Sequence, residues 1–335
     1  MKKQGIADKI RVIATAAFGG VAVIGGLSIH PAYAGGPTLT AQGIADGFQL
    51  STFATTNPGN TGCCGGPFGI GVNGQGNVLV GTGSGALYVF KDVNGQTPGS
   101  ALFTQSSSSF TSAYTASGGV VYGGVGGHFA SFNPDGTVAN PNVVPGASPY
   151  LGMWTNPVTG DIISTSGQGL IDINPTTGTF RVINGQFGDG VSVSPDGKTA
   201  YLAQGSINGY DIATGSLVYS SPSISGSDGT GVISGGKFNG DIVVNTNFGE
   251  IYLLDPTTNT TTLIATGGTR GDYTQVDPTN GSLFLDYADV VDRLTCPGCS
   301  FVRAAPGPVP GTGLLALAFL GLAGVAARAR RRLNG

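Results

Sequence analysis

Glutamate is almost absent from this 335-residue chain: Glu250 stands alone beside 17 Asp, and charged residues make up only 10% of the total. Helix interiors are built from Glu, Lys and their like, and Gly weakens them, so 60 Gly with few Lys exclude a large helical domain. Histidine occurs twice, and His30 lies in the N-terminal segment 1–34, which leaves His128 as the one imidazole of the remaining chain. A general base needs a partner and an orienting group, and no motif around His128 supplies either, so it reads as a surface or structural residue. Disorder is excluded as well: Gly and Pro are abundant, but 40% of residues are hydrophobic and 8% aromatic, too apolar for a solvated chain. What remains is an all-β fold with many tight glycine turns.

The formal net charge of −3 hides an asymmetry. Residues 35–327 carry seven Lys and Arg against seventeen acidic residues, a net −10, while both ends are basic. An acidic body without a basic stripe cannot neutralise phosphates, which argues against nucleic-acid binding. No Gly-rich segment opens a helix, so the Gly-x-Gly patterns are turns and not phosphate cradles.

Both ends read as addresses. Residues 1–34 have a basic start, an apolar run from Val12 to Ile29, and the small-x-small sequence Ala32-Tyr33-Ala34 before Gly35. That is the layout of a secretory signal peptide cleaved after Ala34, and it implies the export machinery as a partner. At the other end a Pro/Gly linker (306–313) leads into residues 314–335, an apolar run followed by Arg328, Arg330, Arg331 and Arg332. The apolar stretch Gly311–Ala327 sits at the lower limit for spanning a bilayer, and the Arg cluster would stay cytoplasmic. This tail resembles the PEP-CTERM sorting signals of Gram-negative bacteria, with Pro308-Val309-Pro310 in place of Pro-Glu-Pro. The resemblance implies an exosortase-like protease that processes the tail, transient membrane anchoring, and delivery to the cell envelope or the exterior.

The middle is a repeat. Turn glycines after Asn-, Asp- or Pro-rich clusters recur at Gly76, Gly119, Gly160, Gly197, Gly240 and Gly281, at spacings of 43, 41, 37, 43 and 41. Each is followed by short β-rich runs, for example Asn77–Val80 and then Ala86–Phe90. Four short strands in about 40 residues is the signature of a β-propeller blade. Six blades fit between about residues 65 and 305 of a propeller body spanning 35–305, with a closing strand at about 47–55 that pairs with the last blade. The stretch Ser194-Pro195-Asp196-Gly197-Lys198-Thr199-Ala200-Tyr201, followed by Tyr210-Asp211-Ile212-Ala213-Thr214-Gly215, resembles blades of the YVTN-type, gluconolactonase-like and streptogramin-lyase-like propellers. These superfamilies host binders and enzymes alike.

Carboxylates are the candidates for chemistry. Asp189-Gly190, Asp228-Gly229 and Asp272-Tyr273 fall in the loops that enter successive blades, so the three side chains are expected at one end of the axial channel. An oxygen-rich cage of that kind suits Ca²⁺. The gluconolactonase-like resemblance implies a metal at this end, although that family's Glu early in the first blade has no counterpart here. The bland alternative is that these Asp cap their own turns. Asp286, Asp289 and Asp292 are expected to straddle a solvated hairpin tip. Four Cys in an exported chain suggest disulfides, a local staple Cys296–Cys299 at the turn between the last two strands and a vicinal link Cys63–Cys64. The chain therefore reads as an exported propeller that binds an unknown surface ligand, polysaccharide or protein. The alternative is a metal-dependent hydrolase or lyase of the gluconolactonase or streptogramin-lyase class.

Overall fold

The computed structural model describes residues 35–60, 62, 65–106 and 110–302, with the side chains of 110–112 excepted. The signal and tail segments, Cys63 and Cys64, and the sorting residues Pro308 to Arg332 lie outside the described residues. Six sheets are present. Blade 1 is Pro67–Val72, Asn77–Thr82, Ala86–Lys91 and Phe103–Ser106, and blade 2 is Phe110–Ser117, Val120–Val125, His128–Phe132 and Val138–Asn140. Blade 3 runs from Pro149–Thr155 to Thr179–Asn184, and blade 4 from Val191–Val193 to Leu217–Ser223. Blade 5 begins with Ser227–Val232 and ends with Thr260–Thr266, and blade 6 contributes Gly271–Val276, Leu283–Tyr287 and Val290–Thr295. Within every sheet the strands are antiparallel neighbours in chain order. The first strands of consecutive blades pack on one another all the way round, the last against the first, so the sheets form a closed six-bladed propeller with those strands innermost.

The six glycines that set the period join the first strand of each blade to the second. All six have left-handed backbone, with φ between 76° and 96°. A side chain is strained there, which is why Gly recurs while the residues around it vary. A different demand acts at Gly152, Gly190 and Gly229 on the inner strands. A Cβ at each would come within 2.2–2.5 Å of the carbonyl oxygen of Asp189, Asp228 or Asp272 on the next blade. In Asp189-Gly190 and Asp228-Gly229 the glycine therefore permits close approach of neighbouring strands and does not serve a turn.

The closing strand is Gln49–Thr55, which pairs along its length with Val290–Thr295 and gives blade 6 its outer edge. Its Phe53 is fully buried between Phe284 of blade 6 (ring centroids 4.8 Å) and Phe90 of blade 1 (6.2 Å). Arg293 lies over the same Phe284 ring and pairs with Asp277 of blade 6 (3.2 Å) and Asp92 of blade 1, adding a charged tie across the ring junction. The arm before this strand was not legible as structure. Thr38–Leu39 adds a fifth strand to blade 5 by pairing with Ala265 and Thr266, and a short helix, Ala41–Ala45, follows, capped by the Thr40 hydroxyl. The arm thus crosses from blade 5 to blade 6, helped by Lys237–Asp46 (3.0 Å) and by Phe48 stacked on Phe238.

Two expectations are corrected. Asp286, Asp289 and Asp292 are 0–2% exposed and do not sit on a solvated tip. The loop after the closing strand folds over that hairpin: Thr56 N–H donates to the Asp289 carbonyl, Asn60 Nδ2 donates to the Ala288 carbonyl at 2.7 Å, and Gly66 packs on the same carbonyl. The Cys296–Cys299 disulfide is present, with Cα atoms 5.5 Å apart. Its turn, however, follows the last strand of the C-terminal half and does not join two strands, because the outermost strand of blade 6 comes from the N-terminal arm.

Truncating Phe53 leaves a cavity shared by blades 1 and 6. Phe53→Ala should cost about 3–5 kcal/mol of unfolding free energy by urea denaturation; a loss below about 1 kcal/mol would mean that this strand does not hold the ring closed.

Candidate functional site

Each inner strand starts at the same end of the axis, so the residue at its entry faces a common mouth. Phe68 of blade 1, Leu151 of blade 3, Asp189 of blade 4, Asp228 of blade 5 and Asp272 of blade 6 line one small cavity of about 50 Å³ together with Arg270 and Tyr273. The three sequence-identified carboxylates thus come together, on one side of a mouth whose other side is apolar.

Arg270 stands among them. Its Nε and Nη2 donate to Oδ1 of Asp272 at 3.0 and 2.8 Å, and Nη2 lies 3.7 Å from Oδ2 of Asp228. Burial opposes the guanidinium charge, but the bond to Asp272 and the attraction of all three carboxylates outweigh it, and its pKa is raised. Burial also pushes Asp228 up, and Asp272 and Asp189 add to this by repulsion, bringing it to about 9. Asp189 is raised by burial and then by Asp272. At neutral pH, Asp228 is therefore a carboxylic acid able to donate a hydrogen bond, beside an acceptor in Asp272 and donors in Arg270.

The channel below the mouth is stoppered. Tyr273, buried at the axis, reaches across the ring with its hydroxyl, whose single proton is shared between the carbonyls of Tyr114 and of Met153 (2.8 Å). Gln275, two residues along the same strand, donates Nε2 to the Tyr114 carbonyl at 2.8 Å and to the Tyr273 hydroxyl at 3.0 Å. Alternation along a strand puts both on the axis, where they tie blade 6 to blades 2 and 3. Behind the mouth, Asp286 accepts the backbone N–H groups of Asp272 (3.2 Å) and Tyr273, and burial followed by repulsion from Asp272 raises its pKa.

The donor set does not suit a calcium ion. An oxygen that a hard cation would take, Oδ1 of Asp272, already receives two guanidinium bonds, and Asp228 is held protonated. Among the described residues no group of three or more His, Cys, Asp or Glu is arranged to hold a metal ion. His128 is exposed at the start of its strand and is not part of the cavity lining. Sequence reasoning missed Arg270, Tyr273 and Gln275. The signal available for Arg270 was its rarity, one of seven basic residues in the body, placed two residues before a candidate Asp.

The chain is a six-bladed β-propeller with a half-acidic, half-apolar mouth closed from below. No family model matches it, and no curated protein sequence does. Solved structures share the fold. It is similar to a gluconolactonase from Xanthomonas campestris, at 15% identity and a TM-score of 0.55, over 78% of this chain and 95% of that one. It is also similar to a protein of unknown function from Bacteroides thetaiotaomicron, at 10% identity and a TM-score of 0.54, over 74% and 76% of the two chains.

Because burial favours the neutral form of Asp228, its contribution to stability is full below the unfolded carboxyl pKa near 4 and is lost as pH rises through about 9. Asp228→Asn should remove this loss. Its Tm relative to the parent should climb steadily between pH 4 and 9 in a thermal-melt series, and a constant difference would show that Asp228 is not held protonated.

Proposed function

We propose that this chain is an exported, envelope-associated propeller that acts as a binding or scaffolding module through its mouth, and that it does not catalyse metal-dependent hydrolysis. The observation that carries this reading is Arg270, whose guanidinium sits among Asp189, Asp228 and Asp272 and uses the acceptor a cation would need. The stopper of Tyr273 and Gln275 supports it, since it leaves a shallow recess of about 50 Å³ in place of a pocket that could enclose a substrate. The hydrolase reading draws on the convergence of three carboxylates and on the shared fold with a gluconolactonase, and a shared fold does not transfer an activity.

Export rests on the sequence of residues 1–34, and envelope association on that of residues 306–335. Among the described residues no helix is long and apolar enough to cross a membrane, and both end segments lie outside them. The four Arg that close the tail would resist passage through a bilayer, at about 2.5–3.5 kcal/mol each. The tail would then stall in the membrane with the propeller outside, until cut within the Pro-rich stretch 306–310.

Three measurements test the reading. Deleting Leu314–Gly335 should move an intact propeller to the periplasm or medium with an unchanged Tm, and loss of solubility would make the tail part of the fold. Addition of 1 mM Ca²⁺ should shift the Tm of the full chain by less than about 1 °C, because RT ln(1 + [L]/Kd) vanishes without a site. A shift of several degrees together with lactone hydrolysis abolished by chelator would replace the binding reading with the enzymatic one.

A further inference from the structure

Away from the mouth, the N-terminal arm and blade 6 form an open pocket of about 360 Å³ whose lining includes Gly36, Thr38, Leu39, Leu50, Thr52 and Asp292. Among the described lining residues Asp292 is the one with a charged side chain, and it is 2% exposed. Among the described residues its Oδ1 has no hydrogen-bond partner. Burial raises its pKa to about 7; the Thr52 hydroxyl lowers it somewhat, and Asp289 raises it further by repulsion. The other titratable group that senses it is Tyr287, itself buried. Its sequence neighbour Arg293 turns the other way, to Asp92 and Asp277. A carboxyl this buried calls for a cation, and the described side chains around it supply none.

The backbone facing it is the start of the described chain. Gly36 lies so close that a Cβ there would fall 1.5 Å from Oδ2 of Asp292. Gly35, one residue earlier, is fixed by its carbonyl, which accepts the Thr269 N–H at 3.3 Å. The Cα atoms of Gly35 and Gly36 are about 3.8 Å apart, so the nitrogen of Gly35 lies one residue along the chain from the backbone that touches the carboxylate. The sequence places a signal cleavage site at that same bond, after Ala32-Tyr33-Ala34.

We propose that processing supplies the missing partner: the α-ammonium freed at Gly35 pairs with the buried Asp292 and pins the N-terminal arm across blades 5 and 6. The inference rests on the export reading. Hydrolysis of the Ala34–Gly35 amide consumes one water and leaves a carboxylate on Ala34 and an amine on Gly35. With an ordinary pKa of about 7.7–8.0, which an adjacent carboxylate raises, that amine takes up a proton at neutral pH. The unprocessed chain has no charge to offer at this position, so there Asp292 favours its neutral form and costs stability as pH rises from about 4 through 7. In the processed chain the ammonium supports the carboxylate and removes that cost. Maturation thereby locks a strand and a helix that together bridge the fifth and sixth blades.

The test compares two forms of the chain, one beginning at Gly35 with a free amine and one retaining Tyr33-Ala34 ahead of it, each also made as Asp292→Asn and each verified by intact mass. At pH 7.5 the Gly35 form should melt about 3–6 °C above the extended form, and the gap should close as pH falls toward 4. In the Asp292→Asn background the two forms should melt within about 1 °C of each other. Independently of stability, acylation of the Gly35 amine should run at least about tenfold slower in the parent than in Asp292→Asn. A gap that persists in Asp292→Asn, or equal acylation rates, overturns the pairing. The N-terminal mass of the full chain recovered from an exporting host separates the two failures. Cleavage anywhere but after Ala34 overturns the processing step and the export reading behind it, whereas correct cleavage without coupling to Asp292 overturns the pairing alone.

Discussion

A ring of sheets is only as stable as its weakest junction, and here that junction lies between the first and sixth blades, where the chain's two halves meet. At five junctions the chain passes from one complete blade to the next, whereas at the sixth it enters blade 1 from Gln49–Thr55, which is held in blade 6 by pairing with a strand some 220–250 residues later. The apolar wedge of Phe53 and the charged tie of Arg293 act at the same place, one by burial and one by pairing. The pairing closes an entropically expensive loop, so its side chains have to be well buried to offset that cost. The arm ahead of it spreads the load by adding a strand to blade 5 as well.

The mouth follows from the same geometry. Inner strands converge so closely that Gly152, Gly190 and Gly229 have no room for side chains, and this convergence crowds the residues that enter blades 3 to 6 into one recess. Three of those residues are Asp, and three carboxylates in a small, partly dry space cannot all stay ionised. The protein resolves the conflict by importing one guanidinium and by keeping Asp228 protonated, so the recess presents donors and acceptors side by side and little net charge.

Much of this was legible in the sequence, and the limits have physical causes. The left-handed turns require Gly at one fixed place per blade, so Gly76 to Gly281 reported both the period and the number of blades. The entry position of each inner strand follows from that period, which brought Asp189, Asp228 and Asp272 to one end of the axis. Hidden from the sequence were features set by distant segments or by direction within a strand. Asp286, Asp289 and Asp292 look like a polar hairpin tip until Thr56, Asn60 and Gly66, more than 200 positions earlier, pack over them. Tyr273 and Gln275 look like ordinary strand residues, since nothing local says which face of an inner strand meets the axis. Thr38–Leu39 is too short for any alternation to register.

The disulfide turn has a consequence of orientation. Thr295 pairs with Gln49 at the far end of blade 6 from the mouth, and the Cys296–Cys299 turn holds the chain there while Phe301 N–H bonds to the carbonyl of Gly281. The described chain therefore leaves the propeller at Val302 through the face opposite the acidic recess. Anything that pulls on the polypeptide from that point draws the propeller down by its base, as a lamp is held by its stem, and turns the recess with Arg270 toward whatever lies beyond.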